Sequence, residues 1–231
     1  MSDDKKSLLN VEEMTKAGLH FGHTVSKLHP KMKQFVSGIK NNVHVIDLEK
    51  TAKEFDRALA FIKKAVAEGK TILLVGTKIQ MKEMTKMTAQ DAMMPYVTER
   101  WLGGTITNFE TISKRVAYYK ELENKKNIGE LEKYTKKERL LFDRELEALK
   151  KKFEGIRNMI KLPDAVIILD IKKDIAAARE AKRKGITIIG VTDTNIDPTL
   201  ADYAIPANDD AMSSIKYILE KVKETILNHK A

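Results

Sequence analysis

Cysteine is absent from this chain of 231 residues. Its absence excludes disulfides, a thiol nucleophile and cysteine-ligated zinc, and it suits a reducing compartment. No apolar run approaches the roughly 20 residues that a membrane-spanning helix needs. The opening Met-Ser-Asp-Asp-Lys-Lys-Ser carries acids and no apolar core, so neither a signal nor a transit peptide is expected there. A soluble, cytoplasmic protein with no membrane partner follows as the expectation. Glycine is sparse, at 11 residues, and proline sparser, at 5. The apolar run 71–75 leads into Gly76-Thr77-Lys78, which fits neither a GxGxxG nor a GxxxxGK[ST] spacing. A dinucleotide or P-loop cofactor is therefore not expected. The most informative absence is of acid. Residues 14–46 contain no Asp or Glu, yet they hold five Lys and four His.

The whole chain carries a formal net charge of +9. More than half of it lies between residues 112 and 158, with 14 Lys+Arg against 9 Asp+Glu. Basic excess of this kind points to polyanion partners, nucleic acid before anionic membrane; a solvated Lys/Glu surface is the plainer alternative.

The same stretch has a distinctive apolar rhythm. Phe109, Ile112, Val116 and Tyr119 are spaced three, four, three; Phe142, Leu146, Leu149, Phe153, Ile156 and Ile160 alternate four and three. That alternation is a coiled-coil seam. Two seams joined by the polar stretch 124–130 read as an antiparallel hairpin, and the charged positions off the seam suggest an arm that projects. The expected division is an α/β domain at 1–107 and 159–231 with a projecting coiled-coil domain at 108–158.

Outside the arm, strands and helices alternate. Asn10 with Glu13 suggests a capping box for a short first helix ending near Gly18, followed by a loop rich in His and Lys. Strands are expected at 35–39 and 43–46. Asp47 should cap a helix over 48–68. The apolar run 71–75 reads as a strand covered on both faces. Thr77 with Gln80 should cap a Met-rich helix that Pro95 terminates. Thr107 with Glu110, and Thr135 with Glu138, should cap the two arm helices. Strands then follow at 165–169, 187–191 and 203–205, with helices at 175–184 and 211–227. The pattern predicts a doubly wound, mostly parallel sheet, Rossmann-like or flavodoxin-like, with an inserted antiparallel coiled-coil hairpin.

Asp170, Asp193 and Asp197 fall near strand ends. They suit helix caps and turns, or the magnesium and phosphoryl chemistry of a doubly wound hydrolase or phosphotransferase. No matched base, nucleophile or phosphate cradle accompanies them, which favours caps. His20 and His23, three apart in a loop without cysteine, are the residues that would hold a metal, and none is expected. The acid-free stretch repels itself unless it meets phosphates, and its His residues and Phe21 can stack on unpaired bases. Trp101, beside Arg100 and a Gly-Gly pair, should pack the hinge of the arm; stacking on RNA is the other reading. A third class of function is a coiled-coil adaptor that binds only proteins.

Ordered motifs then narrow the choice. Gly18-Leu19-His20-Phe21-Gly22-His23, Pro30-Lys31-Met32 and His44-Val45-Ile46-Asp47-Leu48-Glu49-Lys50-Thr51 come first. Val75-Gly76-Thr77-Lys78, Arg100-Trp101-Leu102-Gly103-Gly104 with Thr107-Asn108, and Leu162-Pro163-Asp164 come next. Asp193-Thr194-Asn195 with Asp197-Pro198, and Ile205-Pro206 with Asn208-Asp209-Asp210, complete the series. Together they resemble the bacterial small-subunit ribosomal protein two family over about residues 10–225. The resemblance implies an α/β domain with a projecting coiled coil, no enzymatic activity, binding to 16S ribosomal RNA between head and body of the 30S subunit, and help in retaining ribosomal protein one. Leu28-His29 stand where the family usually has Trp-Asn. Asp174 and Glu180 follow the Asp170 strand, where the family usually has a Glu in the helix. No counterpart of the family's common C-terminal tail is expected.

Two RNA-contact surfaces are expected. The first uses His20, His23, Lys27, Lys31, Lys33 and Lys40, with Arg100 at the hinge. The second is the polar outside of the arm, with Lys114, Arg115, Lys136, Lys137 and Arg139. Partners would be 16S ribosomal RNA and other 30S proteins, notably ribosomal protein one, without homo-oligomers.

Overall fold

The computed structural model describes residues 9–229. The opening heptapeptide, read above as carrying no leader, lies outside the described residues. Five short strands make a parallel sheet: β4 (Ile72–Val75), β5 (Tyr96–Val97), β6 (Ala165–Ile168), β7 (Thr187–Thr192) and β8 (Tyr203–Pro206), in the order β5-β4-β6-β7-β8. Every residue of β4 and β6 is buried, as a strand covered on both faces requires. Alternate side chains serve the two faces. Ile72, Leu74, Ala165, Ile167, Ile189 and Ile205 enter one apolar cluster. That cluster packs helices α1 (Val11–Lys16), α2 (Leu48–Ala67), α3 (Lys82–Asp91) and α7 (Met212–Leu227). Leu73, Val75, Val166, Ile168 and Ile188 enter the other, with α6 (Ile175–Arg183). Helices on both faces of a parallel sheet make the doubly wound α/β fold.

A second, three-stranded antiparallel sheet joins the two strands expected at 35–39 and 43–46 to a third that was not expected. It orders β1 (Phe21–Thr24), β3 (Val43–Ile46) and β2 (Val36–Lys40) as β1-β3-β2. Phe-Gly-His-Thr shows no apolar alternation to mark β1, and a loop rich in His and Lys is expected there. The register of β1 comes from β3, with Phe21 opposite Val45. Asn41 and Asn42, both at positive φ, turn β2 into β3. Asn tolerates that left-handed region better than most residues.

Helix ends obey the caps unevenly. Asp47 Oδ1 accepts the N–H groups of Glu49 and Lys50 as expected. Thr135 and Glu138 form a reciprocal capping box. Asn10 caps through Glu12 N–H. Three expected boxes do not form, that of Asn10 with Glu13 and two more. α3 begins at Lys82, and Thr77 gives its hydroxyl to Asp174 instead. Thr107 gives its hydroxyl to Glu180, and the first helix of the insert begins at Phe109 without a side-chain cap.

That insert holds two helices, α4 (Phe109–Asn127) and α5 (Lys136–Phe153). Ile112, Val116 and Tyr119 of the first are buried, with Leu122 extending the stripe. Phe153 and Ile156 are buried, and Leu146 and Leu149 pack partly against the same cluster. Ile160 is 93% exposed, so the second stripe ends at Ile156. The stripe of α4 belongs to the same apolar cluster as β4 and β6, so the base of the insert is continuous with the core. Tyr118 bonds Glu145, and Lys126 bonds Asp143, between the two helices.

Candidate nucleic-acid interface

The acid-free segment folds as β1, two short 3-10 turns and the β2–β3 hairpin. It docks on the loop that follows β7. His29 N–H donates to Thr194 O at 2.8 Å, and His23 N–H to Thr194 Oγ1 at 2.9 Å. Gly22 allows the approach, because a Cβ there would lie 2.6 Å from Thr194 Cγ2.

The strand-end aspartates turn out to divide their oxygens. Asp197 Oδ1 accepts Thr199 N–H at 2.9 Å, while Oδ2 takes Lys31 Nζ at 2.7 Å. Asp193 Oδ1 accepts Thr194 N–H, while Oδ2 lies 2.9 Å from His23 Nδ1. Asp170 Oδ1 accepts Lys173 N–H at 2.8 Å, while Oδ2 takes Lys78 Nζ at 2.7 Å. Asp170 and Asp197 are the cap or turn residues expected, and each also anchors a lysine from a distant segment, while Asp193 holds the His23 imidazole. Two of the bases in the acid-free segment are thus engaged within the chain.

Lys78 is the hub of this edge. Its ammonium also reaches Asp209 at 2.7 Å and Asp210 at 2.9 Å. Burial works against its charge, but bonds to Asp170 and Asp209 more than offset it and hold the ammonium above its ordinary value. Asp209 is pushed up to about 7, first by burial and then by Asp170. Asp174 is also raised, by burial. His23 is raised, chiefly by its bond to Asp193. His20 is lowered, by burial and then by Lys40. Lys31, first among the causes, holds Asp197 far below the usual carboxylate range. His23, Asp193 and Asp209 bring three potential metal donors within 4.8 Å of one another. His20 is not among them; its ring instead lies 3.9 Å from that of Phe21, which is 47% exposed.

The other expected contact residues lie on the surface. Lys27, Lys33, Lys40 and Arg100 are exposed and take part in no salt bridge among the described residues. The same holds for Arg115, Lys136, Lys137 and Arg139 on the insert. Lys114 pairs with Glu110 one helical turn away, both well exposed. Trp101 is 7% exposed and donates its Nε1–H to Glu180 Oε1 at 3.0 Å, which makes it a hinge residue and removes it as a stacking platform.

The sequence reading missed Lys78, Asp209 and Asp210 as one charge cluster. Their motifs were visible; their convergence from positions more than 130 residues apart was not. It also missed the task of Glu180.

Among the described residues no matched nucleophile, base and oxyanion donor set accompanies the aspartates: their second oxygens are spent on Lys78, His23 and Lys31. The sequence pattern of the family described as Ribosomal protein S2 matches residues 14–229. The chain belongs to the ribosomal protein S2 family. It is 44% identical over 221 residues to the small ribosomal subunit protein uS2 of Coprothermobacter proteolyticus, covering 96% of this chain and 82% of that one. Against the uS2 of Thermus thermophilus it is 43% identical over 219 residues, covering 95% and 86%. Against that of Helicobacter hepaticus it is 41% identical over 220 residues, covering 95% and 83%. Ribosomal protein S2 is a structural component of the ribosome and not an enzyme. The hydrolase reading of Asp170 and Asp193 falls with that.

Proposed function

We propose that this S2 protein is a structural constituent of the small ribosomal subunit that holds folded 16S ribosomal RNA, between head and body, through two basic surfaces. The first is the acid-free segment. Its Lys27, Lys33 and Lys40 stand exposed and join no salt bridge among the described residues, and that observation carries the reading. His20 lies against exposed Phe21, His23 and Lys31 fasten the segment to the domain, and Arg100 adds a cation at the hinge. The second is the outside of the two-helix insert, read as a projecting coiled coil at 108–158 on the α/β domain of 1–107 and 159–231. There Lys114, Arg115, Lys136, Lys137 and Arg139 meet phosphates. Such contacts position a protein on folded RNA more than they read its bases. The protein works in the cytoplasm as part of the ribosome, contacts other small-subunit proteins, and helps retain ribosomal protein one.

Sedimentation of cell extracts on a sucrose gradient tests this directly. The protein should comigrate with 30S particles. Its retention should fall steeply with salt, by close to one log–log unit per phosphate contact. A protein that stays at the top of the gradient at low salt refutes the reading.

A further inference from the structure

Three cavities meet at the loop that carries Arg100. They measure about 560, 450 and 470 Å³, and Glu99 borders all three. One end of the groove reaches Thr77, Lys173 and Asp174. These residues follow β4 and β6, the strands between which the sheet order reverses. Doubly wound sheets take their ligands in the crevice at that point. The other end is floored by Lys150, Lys151 and Lys152, where α5 finishes.

Glu83 and Glu147 also line the groove beside the lysines, and its charges are unequally matched. Lys82 is paired with Glu99 and Lys86 with Glu154. Arg100, Lys150, Lys151 and Lys152 are exposed and join no salt bridge among the described residues. Asp174 is 3% exposed and spent on Thr77. The carbonyls ending α5 account for lysines in its last turn. They do not account for Arg100, which arrives from a separate segment, the loop after β5. The groove is open and far larger than one phosphate, so it suits an extended polyanion.

We propose that this groove binds the sugar–phosphate backbone of an RNA strand, as a third contact surface beside the two above. The proposal rests on the ribosomal RNA reading. It adds a location that neither the acid-free segment nor the outside of the insert covers.

The test uses the full chain and 30S particles depleted of it, with rebinding measured by sedimentation across a potassium chloride series. Lys150→Gln/Lys151→Gln/Lys152→Gln, which leaves every residue of the two other surfaces in place, should reduce the log–log salt slope by about two to three and weaken rebinding at least about 10-fold. Lys151→Gln alone should reduce the slope by about one, which keeps the test available if the triple variant does not fold. A slope unchanged from the wild type in a folded variant overturns the groove while leaving the two other surfaces intact. A wild-type chain that does not rebind at all overturns the RNA reading itself.

Discussion

Two buried carboxylates in this protein sit in opposite electrostatic regimes. Glu180, 7% exposed on α6, accepts from Trp101 Nε1, the backbone N–H groups of Gly104, Ile106 and Thr107, and the Thr107 hydroxyl. Burial raises its pKa, but those donors, the Thr107 N–H foremost, bring it below its ordinary value. Asp209, 2% exposed, shares one ammonium with two other acids, and its pKa rises to about 7. Desolvation alone does not decide the charge of a buried acid. The number of donors aimed at it, against the number of acids beside it, does. The consequence is a division of labour. Glu180 is a pin, its carboxylate favoured by its donors, that holds the chain segment entering the insert. The Asp209 cluster is a seam whose charge depends on pH and which joins the edge of the sheet to the basic segment.

The most forceful way to break the comparison is to remove the hub. Lys78→Met leaves Asp170 and Asp209 without their shared cation and should cost about 4 kcal/mol at pH 8. At pH 5.5 the cost should shrink, because Asp209 then carries a proton. Urea unfolding at both pH values checks this, and an equal cost at both would mean that Asp209 is ionised throughout. Glu180→Ala comes next. It strands buried N–H groups that only water can then satisfy, and should cost about 3 kcal/mol, or roughly 6–12 °C in melting temperature for a chain of this size. Its cost should be the same at pH 5.5 and pH 8, because the Glu180 carboxylate is already ionised at both. A variant melting within about 2 °C of the parent would show that the hinge does not depend on this acid.

Asp209→Asn sharpens the contrast with a smaller effect. Between the ordinary Asp value and about 7, the folded chain keeps a proton that the unfolded chain has released. Stability contributed by that proton is complete at low pH and lost as pH rises through 7. His23 acts in the same direction: its raised pKa gives stability that is complete below about 6.5 and lost as pH climbs past the folded value. The wild type should therefore lose a few degrees of melting temperature between pH 5.5 and pH 8. The Asn variant should lose less. Parallel curves would remove Asp209 as the source.

These two centres were unequally legible in the sequence. The strands 71–75 and 165–169 announced themselves as apolar runs, since full burial on both faces leaves a mark that needs no partner to be read. Caps with local donors, such as Asp47 and Thr135, were equally plain. Thr77 and Thr107 misled because each had a helix-cap spacing ahead of it and a better acceptor elsewhere. Those acceptors, Asp174 and Glu180, stand 97 and 73 residues away. Likewise one oxygen of Asp193 or Asp197 obeyed the local rule, and the other answered to a base from the far end of the chain. At both threonines a hydrogen bond to a buried acid overrides the local capping propensity. β1 escaped notice for a related reason: its pairing with β3, not its own composition, makes it a strand.

Lys31 and Asp197 mark the solvent-exposed limit of the same design. The pair is geometrically as good as those around Lys78, at 2.7 Å, but the side chains are 53% and 26% exposed. Solvent screens it, so Asp197→Asn should cost no more than about 1 kcal/mol at pH 7. The sign of its pH dependence is opposite to that of Asp209. A lowered folded pKa gives stability present above the ordinary Asp value and lost as pH falls through the folded one. Acid unfolding between pH 4 and pH 2 is therefore where the variant should differ in slope from the parent, while the two should run parallel between pH 5.5 and pH 8. If the variant instead flattens the neutral limb, the Lys31 contact is coupled to the Lys78 cluster, and the two ends of this edge titrate as one unit.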